Sequence, residues 1–286
     1  MKENIYSLFV IIVSLFLTYI ISFDSIFFFD YKSVYVLWLL IFIIHILVFI
    51  PSYIYQTEHY YDLTGGITFI SSVLFLLLSR YFYFNSIDNV SLVVSLLVSI
   101  WTIRLSSFLF LRVKKVGKDV RFTEIKKDFK RFLLAFMLSG LWVFMCLLPT
   151  IVILTSSVLK EFNILIIFGI IVWIIGFVFE IVADMQKTEF NKKNKGKFIS
   201  SGLWSLSRHP NYFGEFTLWT GLAIISISFL SGVMYVVLIS PIFIYLLLNK
   251  VSGVNLLEDI AEERWGSEKE YQDYKKNTPV FFPKLF

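Results

Sequence analysis

Apolar runs of about 17 to 25 residues, each long enough to cross a hydrocarbon core, recur along this chain with polar segments between them. They fall at residues 5–23, 34–50, 67–84, 90–111, 132–156 and 162–183. Two shorter ones, 216–230 and 232–249, are separated by Ser231 alone. The pattern predicts eight helices, or seven if the last two form one re-entrant hairpin. No internal repeat, Gly/Ser linker or low-complexity tail interrupts it, so residues 1–286 read as a single membrane-embedded domain. The expected fold class is all-α: a polytopic transmembrane bundle of 7–8 helices with cytosolic loops and an amphipathic C-terminal helix.

Composition sharpens this. A chain that is 57% hydrophobic and 19% aromatic, with a mean hydropathy of +0.76, lies far outside the soluble range. The first run has no small-residue cleavage site after it and reads as a retained helix. The net charge of +5 sits in loops: residues 112–131 carry nine Lys/Arg and residues 187–208 carry six. The positive-inside rule places both on the cytosolic side, in a bacterial plasma membrane or the endoplasmic reticulum. Alternation then brings residues 51–66 and the tail after Lys250 to that side too, so the polar-rich segments converge on one membrane edge. Such loops suit anionic headgroups or a phosphate-bearing ligand; nucleic acid would need a basic face or a recognition module, and neither is present. Cys146 is the sole cysteine and lies in an apolar run, which excludes an internal disulfide and a cysteine metal cluster. No GxGxxG, GxxxxGK[ST] or HExxH occurs, no metal site is expected, and a bound dinucleotide would have to be held by helices and loops.

Four segments could carry chemistry. Residues 200–222, SSGLWSLSRHPNYFGEFTLWTGL, set a basic, aromatic cluster directly before an apolar run. Pro210 suits a first helical turn because it has no amide hydrogen to lose, so a helix starts here. Asn211 and Glu215, four apart, share a face, and Gly214 leaves a gap where a flat group can approach the backbone. The first-turn amides beside Arg208 and His209 suit a phosphate. An interfacial corner with Trp204 and Tyr212 in the aromatic belt would account for the apolar members, but Asn, Glu, His and Arg packed together point to a site.

Residues 55–66, YQTEHYYDLTGG, form a predicted loop. Asp62 or Thr64 is expected to cap the third span, Gly65 and Gly66 to let backbone meet a ligand, and Tyr61 or Asp62, with Glu58 nearby, to serve as proton donor. The end of the sixth run places Glu180, Asp184, Lys187, Thr188 and Asn191 at helical spacing. Its two carboxylates could accept from ribose hydroxyls or an adenine amine, with lysines near for phosphate. Residues 255–274 predict one acidic amphipathic helix with Glu258 and Glu262 on a shared face, either solvated or touching a ligand. Residues 278–286 read as an extended membrane-surface anchor. Of the intramembrane polar residues, Arg104 is expected to snorkel or line a pocket, His45 to be a satisfied interior histidine, and Arg80 to snorkel to the far face.

The stretches YDLTGGITFI, WTIRLSSFLFLRVKKVGKDVRF, FEIVADMQKTEF, GKFISSGLWSLSRHPNYFGE and EERWGSEKEYQDYKKNTPVFFP together resemble the steroid 5-alpha-reductase-like superfamily, most nearly its branch of uncharacterised membrane proteins, over residues 61–286. The RHPNYFGE core is also similar, in looser form, to isoprenylcysteine carboxyl methyltransferases. The resemblance implies a reductase with NADPH in the cytosolic half of the bundle, delivering hydride to a carbon-carbon double bond conjugated to a carbonyl. It implies that Asn211, Tyr212 and Glu215 match the cofactor motif and that Asp184 matches an acidic residue on the preceding helix. Glu180 stands where those reductases have an asparagine, Asn191 or Lys192 approximates their arginine, and Glu258 and Glu262 align with their His and Tyr. Their adjacent Gln-Glu pair is represented here by Gln56 and Glu58, split by Thr57.

The expectation is thus an NADPH-dependent membrane oxidoreductase acting on CH–CH groups of a hydrophobic small-molecule or lipid substrate. Its cofactor would be held by Glu180, Asp184, Lys187, Arg208, His209, Asn211, Tyr212, Glu215, Glu258 and Glu262, and its catalytic groups would be Tyr61, Asp62 and Glu58. The alternatives are an S-adenosylmethionine-dependent isoprenylcysteine-type or lipid methyltransferase and a non-catalytic lipid-binding membrane protein.

Overall fold

A computed structural model describes residues 2–116, 122–251 and 253–284, with the backbone alone over 112–116. The middle of the basic loop (117–121) and the last two residues of the expected anchor lie outside them. Ten α-helices occur among the described residues: α1 Lys2–Ile21, α2 Ser33–Ile54, α3 Tyr61–Phe84, α4 Asn89–Val116, α5 Phe129–Thr155, α6 Ile164–Lys193, α7 Pro210–Ser226, α8 Ile239–Leu246, α9 Val254–Trp265 and α10 Lys269–Asn277. A two-stranded antiparallel hairpin, β1 Phe27–Phe28 with β2 Tyr31–Lys32, pairs Phe27 with Lys32 between α1 and α2. Among the described residues eight helical runs are long and apolar enough to cross a membrane, and the chain is an all-α polytopic membrane protein. The eighth run is irregular: a 3-10 segment, Gly232–Leu238, leads into α8, and a π-turn, Leu247–Val251, follows it.

The described residues fall into two compact units. The first runs to Asn163 and includes Ser226–Val237; the second holds Ile164–Ile225 and the chain from Leu238 onward.

In the first unit α5 is the central helix. It packs against α1, α2 and α3, and 89% of its apolar window is buried, as a helix apolar on every side requires. His45 is a satisfied interior histidine: Nδ1 lies 2.9 Å from the Ile41 carbonyl and Nε2 3.2 Å from Ser139 Oγ. Arg80 does not snorkel. It is fully buried, its Nε donates to Asp88 at 2.6 Å, and its Nη1 donates to the carbonyls of Leu154 and Ser156. Those carbonyls end α5 and have no partner within their own helix. Asp88 in turn accepts the Ser91 amide at 3.0 Å and so caps α4. Burial opposes ionisation of Asp88, but the Ser91 amide and Arg80 together hold its carboxyl below the usual range. One buried cation therefore ties three helix ends together.

At the other end of α3 the expected loop is shorter: residues 55–60 are turn, and 61–66 are helix. α3 begins at Tyr61, no side chain caps it, and the Thr64 hydroxyl bonds back to the Tyr60 carbonyl. Gly65 and Gly66 serve packing, not a ligand: a β-carbon on Gly65 would lie 3.2 Å from the Trp142 ring, and one on Gly66 would collide with Ser106. The apolar drive to bury Ile67 onward extends the helix back over residues whose composition reads as loop.

In the second unit α6 and α7 meet backbone to backbone. A β-carbon on Gly169 would stand 2.6 Å from the Gly221 carbonyl oxygen, and one on Gly221 2.6 Å from that of Gly169. Gly176 and Gly214 repeat this reciprocal contact at 2.7 Å each way. Glycines two turns apart on each helix thus make a seam of the small-residue kind used in membranes. Gly214 also faces the Glu180 amide, so the gap expected to admit a flat ligand is filled by α6. The predicted acidic helix is two, α9 and α10, broken at Gly266 and Ser267, both poor helix formers. The tail is extended but docked at one ring: Phe281 is 4% exposed and packs on Phe216 and Tyr245.

Arg80→Met should destabilise the protein by about 3–5 kcal/mol, because Asp88 and the α5 carbonyls lose their partner; chemical unfolding in detergent measures it. Gly176→Leu and Gly214→Leu should each cost about 1–3 kcal/mol or more by overpacking the seam, a lowered melting temperature being the readout, with Gly176→Ala intermediate.

Candidate functional site

The second unit holds a clamp of three side chains. Arg208 Nη1 donates to Glu258 Oε2 at 2.5 Å, and His209 Nε2 lies 2.8 Å from Glu258 Oε1. Chain geometry explains how the partners arrive. Pro210 opens α7, as its missing amide allows, leaving Arg208 and His209 as the two residues before the helix. The Arg208 amide donates to the Pro279 carbonyl, Ser207 Oγ to the Phe281 carbonyl, and the Lys284 amide to the Leu206 carbonyl. The C-terminal strap therefore holds residues 206–208 from one side while α9 presents Glu258.

A carboxylate only accepts hydrogen bonds, so His209 carries its hydrogen on Nε2 and presents a lone pair at Nδ1. His209 is 5% exposed. Burial pushes the imidazole below its ordinary range; Glu258 pulls the other way, and Lys187 and Arg208 reinforce the lowering. Its ring stacks on Tyr212 with centroids 5.6 Å apart and planes 8° from parallel. Arg208 Nε and His209 Nδ1, one donor and one acceptor, are buried and have no hydrogen-bond partner among the described residues.

Glu258 also lines a cleft of about 480 Å³. Asn249, Lys250 and Asn255 make its polar side, and Tyr245, Phe281 and Phe282 its aromatic side. Glu215 and Glu180 are buried near the α6–α7 seam, and Asn211, Tyr212, Asp184 and Lys187 are half-buried. Lys187 lies 4.5 Å over the Trp204 ring, whose Nε1 donates to the Ala183 carbonyl. The α6 face continues as predicted, ending in exposed Thr188 and Asn191.

Glu262, expected beside Glu258, instead joins α9 to α10 by accepting from Lys275 at 2.7 Å and Gln272 at 2.9 Å. Trp265 Nε1 donates to the Gly196 carbonyl, and Tyr274 donates to the Trp204 carbonyl. Burial raises the Tyr274 phenol well above its ordinary range, which keeps it a donor. In the first unit Tyr61 donates to the Ala135 carbonyl at 3.0 Å and packs on Phe122 and Phe136. Glu58 is 4% exposed and paired with Lys126 at 2.6 Å; Asp62 sits half-buried in the first turn of α3. Asn249, Lys250 and the Phe281–Phe282 pair escaped sequence reasoning. Their signal was slight: two polar residues closing an apolar run, and two rings between prolines.

A phosphate-bearing cofactor suits this donor set. Lys250 lines the cleft with Glu258, which is paired with Arg208, and the buried Arg208 Nε is a donor without a hydrogen-bond partner among the described residues.

Because His209 folds with a lowered pKa, the native state binds fewer protons than the unfolded one just below about pH 6.5. Stability should fall as pH drops from about 6.5 toward the folded value, and His209→Gln should flatten that segment of the stability-pH curve. Loss on account of Asp88 belongs to a lower window, where pH falls through its depressed carboxyl value. Melting temperatures of both proteins across this range give the comparison.

No solved structure matches the chain. It is 37% identical over 99 residues to "Probable O-methyltransferase ustE" of Ustilaginoidea virens, a match that spans 34% of this chain and 32% of that protein, about a third of each. A family profile described as "Protein of unknown function (DUF1295)" matches residues 48–278, a stretch that carries the clamp from Arg208 to Glu258, and the chain belongs to that family.

Proposed function

We propose that the protein is a membrane-bound reductase that uses NADPH to reduce a carbon-carbon double bond conjugated to a carbonyl in a hydrophobic substrate of sterol-like, isoprenoid or enoyl type. The observation that carries this reading is the Arg208–Glu258–His209 clamp, immediately before a helix whose first two turns hold Asn211 and Glu215. The place of DUF1295 within the steroid 5-alpha-reductase-like superfamily supports it.

When bound, NADPH supplies the hydride. Arg208 and Lys250 hold negative charge, and Glu258 orients the Arg208 guanidinium through a charge-assisted bond from Nη1 in a partly buried setting. Asn211 and Glu215 offer hydrogen bonds from α7, with Glu180 and Asp184 as acceptors for hydroxyl or amine groups. One proton completes the reduction; of the candidates in the first unit, Glu58 is engaged by Lys126 and the Tyr61 hydroxyl by the Ala135 carbonyl. The basic segments and the clamp face the cytosol on this reading.

The O-methyltransferase-named relative favours a second reading, methyl transfer from S-adenosylmethionine to a carboxylate or amine of a lipid. Its cofactor carries no phosphate, whereas Lys250 in the cleft is a cation suited to one.

Thermal unfolding in lipid nanodiscs with NADPH, NADH, S-adenosylmethionine or no ligand separates the readings. NADPH at a hundredfold excess over its dissociation constant should stabilise the native protein by about 2.7 kcal/mol. Asn211→Ala and Glu215→Gln should lose NADPH-dependent turnover and keep the ligand-free melting temperature. Turnover retained in both variants would overturn the reductase assignment, and a shift with S-adenosylmethionine alone would install the methyltransferase. No shift with any ligand would return the lipid-binding, non-catalytic reading.

A further inference from the structure

The aromatic wall of the cleft has one member out of keeping with its surroundings. Phe282 is 53% exposed, whereas Phe281 beside it is 4% exposed. An exposed phenyl ring on an extended segment usually moves, but this one is braced on several sides. It lies 5.8 Å from Tyr245 at 26°, 6.0 Å from Phe216 at 89°, 6.1 Å from Phe213 and 5.2 Å from Phe281. The strap that carries it is fixed by the bonds to Leu206, Ser207 and Arg208. The result is a rigid aromatic surface lining a cleft whose other side is polar, with Lys250, Asn249, Asn255 and Glu258.

We infer that Phe282 is the stacking platform for the adenine ring of an adenosine-containing cofactor. A planar base against an aromatic face gains by stacking whatever its hydrogen-bonding edge. The polar wall supplies what the rest of adenosine needs. Asn249 and Asn255 are amides able to donate to and accept from base and ribose edges, and Lys250 is an exposed point charge for a phosphate. The cleft is open, as suits the handle of a cofactor more than its reacting end, which works best away from water. The inference rests on the cofactor reading above for the identity of the molecule, but adenine is common to NADPH and S-adenosylmethionine. The ring site and the reductase assignment therefore stand or fall separately.

The test uses the full chain in lipid nanodiscs, titrated with NADPH and with S-adenosylmethionine, as wild type, Phe282→Leu, Phe282→Tyr and Phe282→Trp. For the cofactor that binds, Phe282→Leu should weaken affinity about tenfold, Phe282→Tyr should stay close to wild type, and Phe282→Trp should tighten binding through its larger face. The tighter Trp variant guards against a trivial explanation, because a damaged fold does not gain affinity. Leucine keeps the apolar bulk that a membrane anchor needs, so equal affinities for wild type and Phe282→Leu would overturn the platform and leave Phe282 an anchor, with NADPH binding still upholding the reductase. A Phe282→Trp variant that binds no tighter than wild type would likewise overturn it. Selective binding of S-adenosylmethionine that falls in Phe282→Leu would uphold the platform and remove the reductase, and no binding of either cofactor by folded wild type would remove both.

Discussion

The reciprocal glycine contacts between α6 and α7 are the constraint on which the site depends. With no side chains between them at Gly169–Gly221 and Gly176–Gly214, the two helices can slide only at the cost of steric overlap at both contacts at once. That fixes their register. It sets Glu180 against Gly214, and it determines where α7 begins relative to the polar end of α6. Arg208 and His209, the residues just before Pro210, inherit their position from that register. Small residues are the means available inside a bilayer, where lipid tails remove the apolar drive for helices to associate and close van der Waals contact must take its place.

A second constraint is that charge inside such a protein must be partnered. The first unit meets it with Arg80, whose guanidinium links Asp88 and two terminal carbonyls of α5. Helix ends leave carbonyls unbonded, so a buried arginine is both a cost and the remedy for another cost. The second unit meets it with Glu258, which satisfies Arg208 and His209 together. The difference between the two is instructive. Both clusters leave buried polar atoms without a hydrogen-bond partner among the described residues, Nη2 of Arg80 in one and Arg208 Nε and His209 Nδ1 in the other, but Arg80 is sealed within helix ends, whereas Glu258 lines a cleft. What separates the second cluster is the cleft beside it, a space that a ligand can enter.

The same logic sorts the acidic residues of the tail. Glu262 and Glu258 lie one turn apart on α9, and sequence spacing treats them alike. Glu262 is spent on Lys275 and Gln272, which hold α10 in place, while α10 packs Tyr271 and Tyr274 on Phe198. That packing steadies the loop leading to Arg208. Glu262 thus supports the site at a remove, and Glu258 is the member within it.

Apolar run lengths alone specify an all-α membrane fold of seven or eight spans, because a segment of such hydropathy has no stable alternative to a helix in lipid. The Pro210 helix start and the interior character of His45 were equally legible, since each follows from local geometry or from the cost of burying charge. Tertiary structure decided the rest. Gly65, Gly66 and Gly214 look like openings for a ligand in one dimension, and only the facing helix shows that they are contacts. Arg80 looks like a snorkelling residue until Asp88, Leu154 and Ser156 are brought to it. Most of all, the strap after Thr278 reads as a loose anchor because its prolines forbid a helix. Its docking on residues 206–208 joins segments more than seventy positions apart, a pairing that no periodicity records and that only the folded chain brings about.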